Sequence, residues 1–200
     1  MEKKLRTPYL KPSEMNAEQR AFYEDVLANM GRPDLPHVWK LDEGQIVGPF
    51  TSMLAFPQLG EMLYHLQRRI VCQSPIPADV AELFILAVAS KERCAYAIYA
   101  HELLARKAGV PAETVSAVAA DPAPADLSFG KADETAAYAF AKALTAGGPV
   151  PGAAFERAIA VFGETGVNFL VHTAGLFKYL CTLMNAYDEP IPLQDEGGTE

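Results

Sequence analysis

Two hundred residues, half of them hydrophobic, are enough for one domain with a buried core. The charge is acidic: 25 Asp and Glu stand against 17 Lys and Arg, for a net −8. That excludes the broad basic surface a nucleic-acid partner needs, but not a small anionic substrate held by one local cation. Three cysteines, at 72, 94 and 181, form no CxxC and no metal-ligand spacing. With no apolar leader behind the basic start, they are expected to be reduced thiols in a cytoplasmic protein. The longest apolar run, residues 83–89, is too short to cross a bilayer, so no membrane partner is expected.

Residues 1–12 hold two prolines and read as an extended arm. Asn16 and Gln19 are spaced as a capping box, which predicts a helix over 17–30 with Phe22, Val26 and Leu27 turned inward. Residues 31–50, with prolines at 33, 36 and 49, read as a long connection of the kind that serves a site or a partner subunit. Pro57 opens a helix to about 72, in which Leu59, Met62, Leu63, Leu66 and Ile70 recur at helical spacing. Two adjoining helices follow, one over the apolar segment 81–90 and one over 91–107, the second stopped by Gly109 and Pro111. A short helix to about 120, a Pro/Ala/Asp loop over 121–130, and helices over 131–145, 152–162 and 164–187 complete the chain. No period-two pattern occurs, so the fold class is all-α, in a single domain spanning 1–200 with its core in 13–192 and a loose acidic tail at 193–200.

The central pair of helices carries the chemistry. Cys94 and His101 are seven residues apart, two turns less roughly 20°, so a continuous helix puts both on one face about 10 Å apart along the axis. Glu82 lies on the preceding helix, where it can hold one nitrogen of His101. An imidazole that titrates near neutrality can give and take a proton, which makes His101 the leading candidate. Its structural alternative is a core histidine on a backbone carbonyl, and that of Glu82 is a solvated carboxylate in a first helical turn. Cys94 near a helix start can have a lowered pKa, but disulfide chemistry needs a second thiol beside it. Ala97 does not supply one, and Cys94 is therefore expected as a small polarizable pocket wall; spacing leaves open whether Cys72 or Cys181 approaches it in space. Tyr96 and Tyr99 are candidate binders of a substrate oxygen, with packing as the alternative. Arg68 and Arg69 lead the candidate carboxylate clamps, ahead of Lys91 and Arg93. His172 reads as a core residue of the last helix. His37 and His65 have no partner at HxxxH or HExxH spacing, so no metal is expected.

Glu82, then Cys94 after eleven residues, then His101 past the Ala97 slot, resembles the core motif of the carboxymuconolactone decarboxylase and alkyl hydroperoxidase D superfamily. The hydroperoxidase branch has a second cysteine where this chain has Ala97. The decarboxylase branch carries a YEWxxAH-like string, of which residues 96–101 keep the tyrosine and the histidine but lack the acid and the tryptophan. The resemblance extends from Gly48-Pro49-Phe50, Met53-Leu54 and Phe56-Pro57 to Met184-Asn185-Ala186, about residues 45–192. It implies an alkyl hydroperoxidase D-like helical bundle that assembles as a homo-oligomer, a trimer or a multiple. It also implies a small-molecule substrate and a cofactor-free lyase in which His101, Glu82 and Cys94 form the catalytic set, with Tyr96, Tyr99, Arg68 and Arg69 around the substrate. A catalytically silent binder and a thiol hydroperoxidase are the other activities it allows.

Overall fold

The computed structural model describes residues 5–30, 34–120, 127 and 129–192. The expected 193–200 tail, the start of the arm and most of the 121–130 loop lie outside these residues. Among the described residues the fold is helical apart from one isolated antiparallel bridge between Lys40 and Ile46. A 3-10 turn at Pro12–Glu14 precedes α1 (Ala17–Asn29), α2 (Pro49–Ala55), α3 (Pro57–Cys72), α4 (Ala78–Lys91), α5 (Ala95–Lys107), α6 (Ala112–Ala119), α7 (Ala132–Thr145) and α8 (Gly152–Tyr187).

Local chemistry sets most of these boundaries. The Asn16 side chain accepts from the Gln19 amide at 2.9 Å, and the Gln19 side chain accepts from the Asn16 amide at 3.1 Å, the reciprocal cap the spacing predicts. Pro49 and Pro57 open α2 and α3, where a missing N–H costs nothing. Among the helices that end on a residue of positive φ are α4, with Arg93, α5, with Gly109, and α8, with Asp188. In each case the next amide reaches back to the carbonyl five residues earlier: Cys94 to Ala89 at 3.1 Å, Val110 to Ala105 at 3.0 Å and Glu189 to Met184 at 2.9 Å. The helix expected over 91–107 is therefore divided. Residues up to Lys91 continue α4, and Cys94 is the N-cap of α5 in extended conformation. The late break does fall where expected, since Gly163 interrupts α8 at φ 66°.

The stretch at the middle of the sequence is also the middle of the fold. In α4 Val80 and every residue from Glu82 to Ser90 are buried, and the helix packs against α5, α6, α7 and α8. Such all-round burial is what an apolar helix without a polar face requires. Two expected core faces are corrected. Leu27 is exposed, and on α3 Leu59, Met62 and Leu66 face solvent at 51, 70 and 47 % exposure while Gly60, Tyr64 and Ile70 face inward. α3 sits so close to α2 that a Cβ on Gly60 would lie 2.4 Å from the Met53 carbonyl oxygen, so the helix meets its neighbour through its smallest residue.

A buried carboxylate joins the two ends of the described chain. Glu189 Oε1 accepts from the Gly48 amide at 2.8 Å, the Tyr9 hydroxyl at 2.9 Å and the Thr51 hydroxyl at 3.3 Å. Arg6 donates to the Ala186 carbonyl at 2.8 Å beside it, so residues 6–9 of the expected arm are held on the end of α8. Burial raises the Glu189 pKa above the usual 4.5, outweighing the three donors that favour the anion. A carboxyl raised on folding contributes stability that is full below its unfolded pKa and is lost as pH rises through its folded pKa. Glu189→Gln keeps the acceptor oxygen and removes the titration. The stability of the wild type relative to this variant is therefore expected to fall as pH rises from below about 4.5 toward neutrality. Urea melts of both proteins across that range measure it, and a pH-independent difference would contradict it.

Candidate functional site

Glu82 is in the second turn of α4, and the buried position of that helix takes its side chain with it: Glu82 is 6 % exposed. A carboxylate so placed needs a partner. Its Oε2 lies 2.7 Å from Nδ1 of His101, two turns along α5. The Phe177 ring of α8 meets the imidazole edge-on, with centroids 4.9 Å apart and an interplanar angle of 85°. The imidazole is thus fixed by a carboxylate at one nitrogen and by an aromatic ring packed against it. This excludes the solvated first-turn carboxylate for Glu82 and the backbone-carbonyl partner for His101.

His101 lines a cavity of about 90 Å³ together with Ala97, Ala100 and Leu104 from the same face of α5. Phe50 and Tyr64 close it from α2 and α3, and Phe177, Leu180 and Met184 from α8. The walls are mainly apolar, with a few polar groups. Arg68 contributes a cation, and Gln67 brings a buried Oε1 that has no hydrogen-bond partner among the described residues. Burial pushes the Tyr64 phenol up to about 12, so it remains a neutral hydroxyl, donating to the Val26 carbonyl at 3.3 Å. With Nδ1 engaged by Glu82, Nε2 is the nitrogen left for a molecule in the cavity. The arrangement can hold a small, flat, largely apolar anion and exchange a proton with it.

Other expected site residues are placed differently. The Tyr96 hydroxyl donates to the Val38 carbonyl at 2.7 Å, and the Tyr99 hydroxyl accepts from the Val38 amide at 3.1 Å. Both tyrosines therefore fasten the 34–47 connection to α5; the Tyr96 ring lines the cavity and Tyr99 does not. Burial raises the Tyr96 pKa well above the ordinary phenol value. Arg69 donates to Gln73 at 3.1 Å on the surface and, like Lys91 and Arg93, does not line the cavity. Arg68 alone of the four candidate clamps reaches it. His172 is exposed rather than core.

Cys94 also requires correction. It is buried at 1 % exposure but is not part of the cavity wall, because the left-handed turn at Arg93 sets it at the start of α5 rather than on the His101 face. Its thiol is hydrogen-bonded with that of Cys181 on α8. That bond, assisted by the amides of Ala97 and Tyr96, holds the Cys94 thiol below its usual pKa, and the same bond raises that of Cys181. Cys72 is exposed and lies at the cavity instead.

Several cavity residues did not emerge from the sequence as site residues. His37 comes from the long connection, which gives no periodicity by which to aim a side chain. Phe177, Leu180 and Met184 have i, i+3, i+7 spacing, a signal that marks a buried face without distinguishing a cavity wall from a core.

The Glu82–His101 pair on two adjoining helices is the motif that carries the family resemblance. The carboxymuconolactone decarboxylase family pattern matches residues 57–147, which include both. Over that segment, just under half of the chain, the sequence resembles the carboxymuconolactone decarboxylase family. Solved structures of the same fold include a peroxidase-related protein with an alkylhydroperoxidase AhpD core from Ralstonia eutropha JMP134. It is 15 % identical, with 98 % of this chain and 95 % of that one covered and a TM-score of 0.71. A cysteine-to-alanine variant of the debrominase Bmp8, in complex with 2,3,4-tribromopyrrole, is 18 % identical over 95 % of this chain and 92 % of its own, with a TM-score of 0.69. The protein ATU0492 of Agrobacterium tumefaciens is 16 % identical over 71 % of this chain and 96 % of its own, with a TM-score of 0.61. At these identities the likeness is one of fold. No curated protein matches the sequence.

Proposed function

We propose that the protein is an acid–base enzyme of the carboxymuconolactone decarboxylase type, removing a carboxylate from a small unsaturated lactone acid or related cyclic acid. The observation that carries this reading is the 2.7 Å Glu82–His101 pair at the wall of a small, mainly apolar cavity that also contains Arg68. Apolar walls favour loss of a carboxylate as neutral CO₂, because they solvate the departing anion poorly. Arg68 supplies the charge that draws the acid in. As the carbon–carbon bond breaks, the electron pair stays with the ring, where a conjugated carbonyl takes it up. Protonated His101 then delivers its Nε2 proton to ring carbon, and the imidazole regains a proton from solvent before the next turnover. Glu82 holds Nδ1–H, orients the ring and stabilises the imidazolium.

The test is a panel of small unsaturated lactone acids and cyclic keto acids incubated in D₂O. Release of CO₂ and one new C–D bond in the product are expected. Brominated pyrroles belong in the panel, since a debrominase shares the fold. Bromide release without decarboxylation, or no turnover of any acid, would overturn the reading.

A further inference from the structure

We propose that the pocket at the C-terminal end of α3 is an outer anion-binding site, which takes small carboxylates and passes them to the cavity. The assignment rests on charge and position rather than on any reaction, and its test does not depend on the decarboxylase reading.

The last two turns of α3 build the pocket. His65, Arg68, Arg69 and Cys72 recur three and four residues apart, so one side of the helix presents them together. With Gln73, the C-cap residue, they line a space of about 280 Å³. Arg68 and Cys72 also line the cavity that holds His101, so the two spaces adjoin at these residues.

The arginines set the charge of the pocket. Neither Arg68 nor Arg69 pairs with a carboxylate among the described residues. Arg69 donates to Gln73 Oε1 at 3.1 Å, which fixes the direction of its guanidinium without cancelling its charge. Elsewhere on the surface Lys11 is matched by Glu43, Lys107 by Asp34 and Lys178 by Glu92. His65 contributes less than the arginines, since its Nε2 lies 3.5 Å from Asp25 Oδ2 and 3.8 Å from Glu61 Oε1. Those two carboxylates, with Glu18, belong to a separate groove between α1 and the start of α3. The helix thus divides an acidic groove at one end from a basic pocket at the other. Cations suit the carbonyl end of any helix. That accounts for two arginines in the last turns, but not for their opening onto a recess that adjoins the cavity.

In a protein of net charge −8 an anion is repelled from most of the surface. Two guanidinium groups in a recess, where the walls reduce screening by water, reverse that locally and concentrate anions beside the cavity. Their planar forks of donors match the two oxygens of a carboxylate. The carboxylate meets Arg69 first. It then moves to Arg68, common to both spaces, as the apolar part of the molecule enters between Phe50 and Phe177. Under the decarboxylase reading, an acid that has lost its carboxylate leaves with one negative charge fewer, so the outer site holds product less strongly than substrate.

Cys72 reports on the pocket directly, because it is exposed while Cys94 and Cys181 are buried. Reduced full-length protein is alkylated at low ionic strength with iodoacetate, an anion, or with iodoacetamide, its neutral counterpart. The Cys72 peptide is followed by mass spectrometry. The ratio of the two rates cancels the reactivity of the thiol itself and leaves the local potential. It is expected to be about three- to tenfold above that of N-acetylcysteinamide, a neutral thiol, and to fall toward it in about 0.5 M salt. Arg69→Gln should lower the ratio about threefold, and Arg69→Glu should take it below the reference. Furan-2-carboxylate, but not the uncharged furan-2-carboxamide, should slow alkylation of wild-type Cys72 by iodoacetamide, and should do so less in Arg69→Gln. A low-salt ratio equal to that of the reference thiol would overturn the proposal. So would a ratio unchanged in both Arg69 variants, or protection by the amide as good as by the acid. Should a variant of the exposed Arg69 not fold by circular dichroism, the wild-type salt dependence and protection decide the matter. No turnover enters these measurements, so their failure and that of the decarboxylation panel are separate results.

Discussion

Replacing His101 by glutamine is expected to lower the rate of decarboxylation by about 10²–10⁴-fold, the usual worth of a positioned proton donor, while the protein folds normally. Glutamine fills similar space and can donate to Glu82, but it cannot carry a proton to carbon. Alanine at 101 should be at least as slow and should also fold less well. It leaves the Glu82 carboxylate, 6 % exposed, without the imidazole 2.7 Å away. Breaking a buried pair from one side costs roughly 3–5 kcal/mol, a large share of a domain's stability. The two variants thus separate chemistry from stability. Glu82→Gln tests the same pair from the other side: the imidazole keeps a neighbour but loses the charge that stabilises its protonated form, so the rate should fall while the cavity persists. Initial rates, with circular dichroism and urea melts for each variant, are the measurement. His101→Gln at full rate would remove His101 from the chemistry and leave it a structural partner of Glu82.

A loss of stability of similar size is expected at a glycine. Gly48 has φ 70° and ψ −133°, a conformation that residues with a side chain rarely adopt. A Cβ placed there would lie 2.3 Å from the Tyr96 ring, which is buried and pinned through its hydroxyl to Val38. Backbone strain of about 1–3 kcal/mol and overpacking of about 1–3 kcal/mol both apply, so Gly48→Ala is expected to cost roughly 2–6 kcal/mol in a urea melt. Gly109→Ala is the control. It too has positive φ, 96°, but no atom lies within 4 Å of the added methyl, so only the conformational term of about 1–2 kcal/mol remains. Equal losses in the two variants would show that Tyr96 yields to the methyl group. The Gly48 amide also donates to Glu189, so the substitution would disturb the closure of the chain ends.

Where residues act through neighbours in sequence, the fold was legible. The Asn16–Gln19 box, Pro57 at the start of α3 and Gly163 act locally, and the structure has them where the spacing puts them, whereas α2 begins at Pro49 inside the stretch that reads as a connection. The Glu82–His101 pair was legible for a different reason: two adjoining helices joined by a short turn have few ways to pack, and a carboxylate and an imidazole on facing sides meet in most of them. What escaped depends on distant sequence or on departures from local rules. Arg93 takes the left-handed position usually left to glycine, and nothing in its side chain announces that; the break it makes carries Cys94 off the face that a continuous helix would give it. On α3 Leu59, Met62 and Leu66, which match the helical period, point to solvent, because Gly60 lets α2 approach on the opposite side. Tyr96 and Tyr99 lie on the right helix, but a loop some sixty residues earlier uses their hydroxyls. Cys181 meets Cys94 across a long stretch of chain, a contact no spacing rule describes.

The Glu189 cluster has a kinetic consequence. Tyr9 and Glu189 are 180 residues apart in sequence. A contact of that span is made only after the intervening chain has been organised, since its loop-closure cost is offset once the helices between have drawn its ends together. Interactions absent from the folding transition state slow unfolding and do little for the rate of folding. The carboxylate therefore acts as a latch on the finished molecule. It lengthens the life of the native state by holding Tyr9, near one end of the described chain, and the Gly48 turn to the end of α8 at a single oxygen atom, and it has little part in how quickly that state is reached.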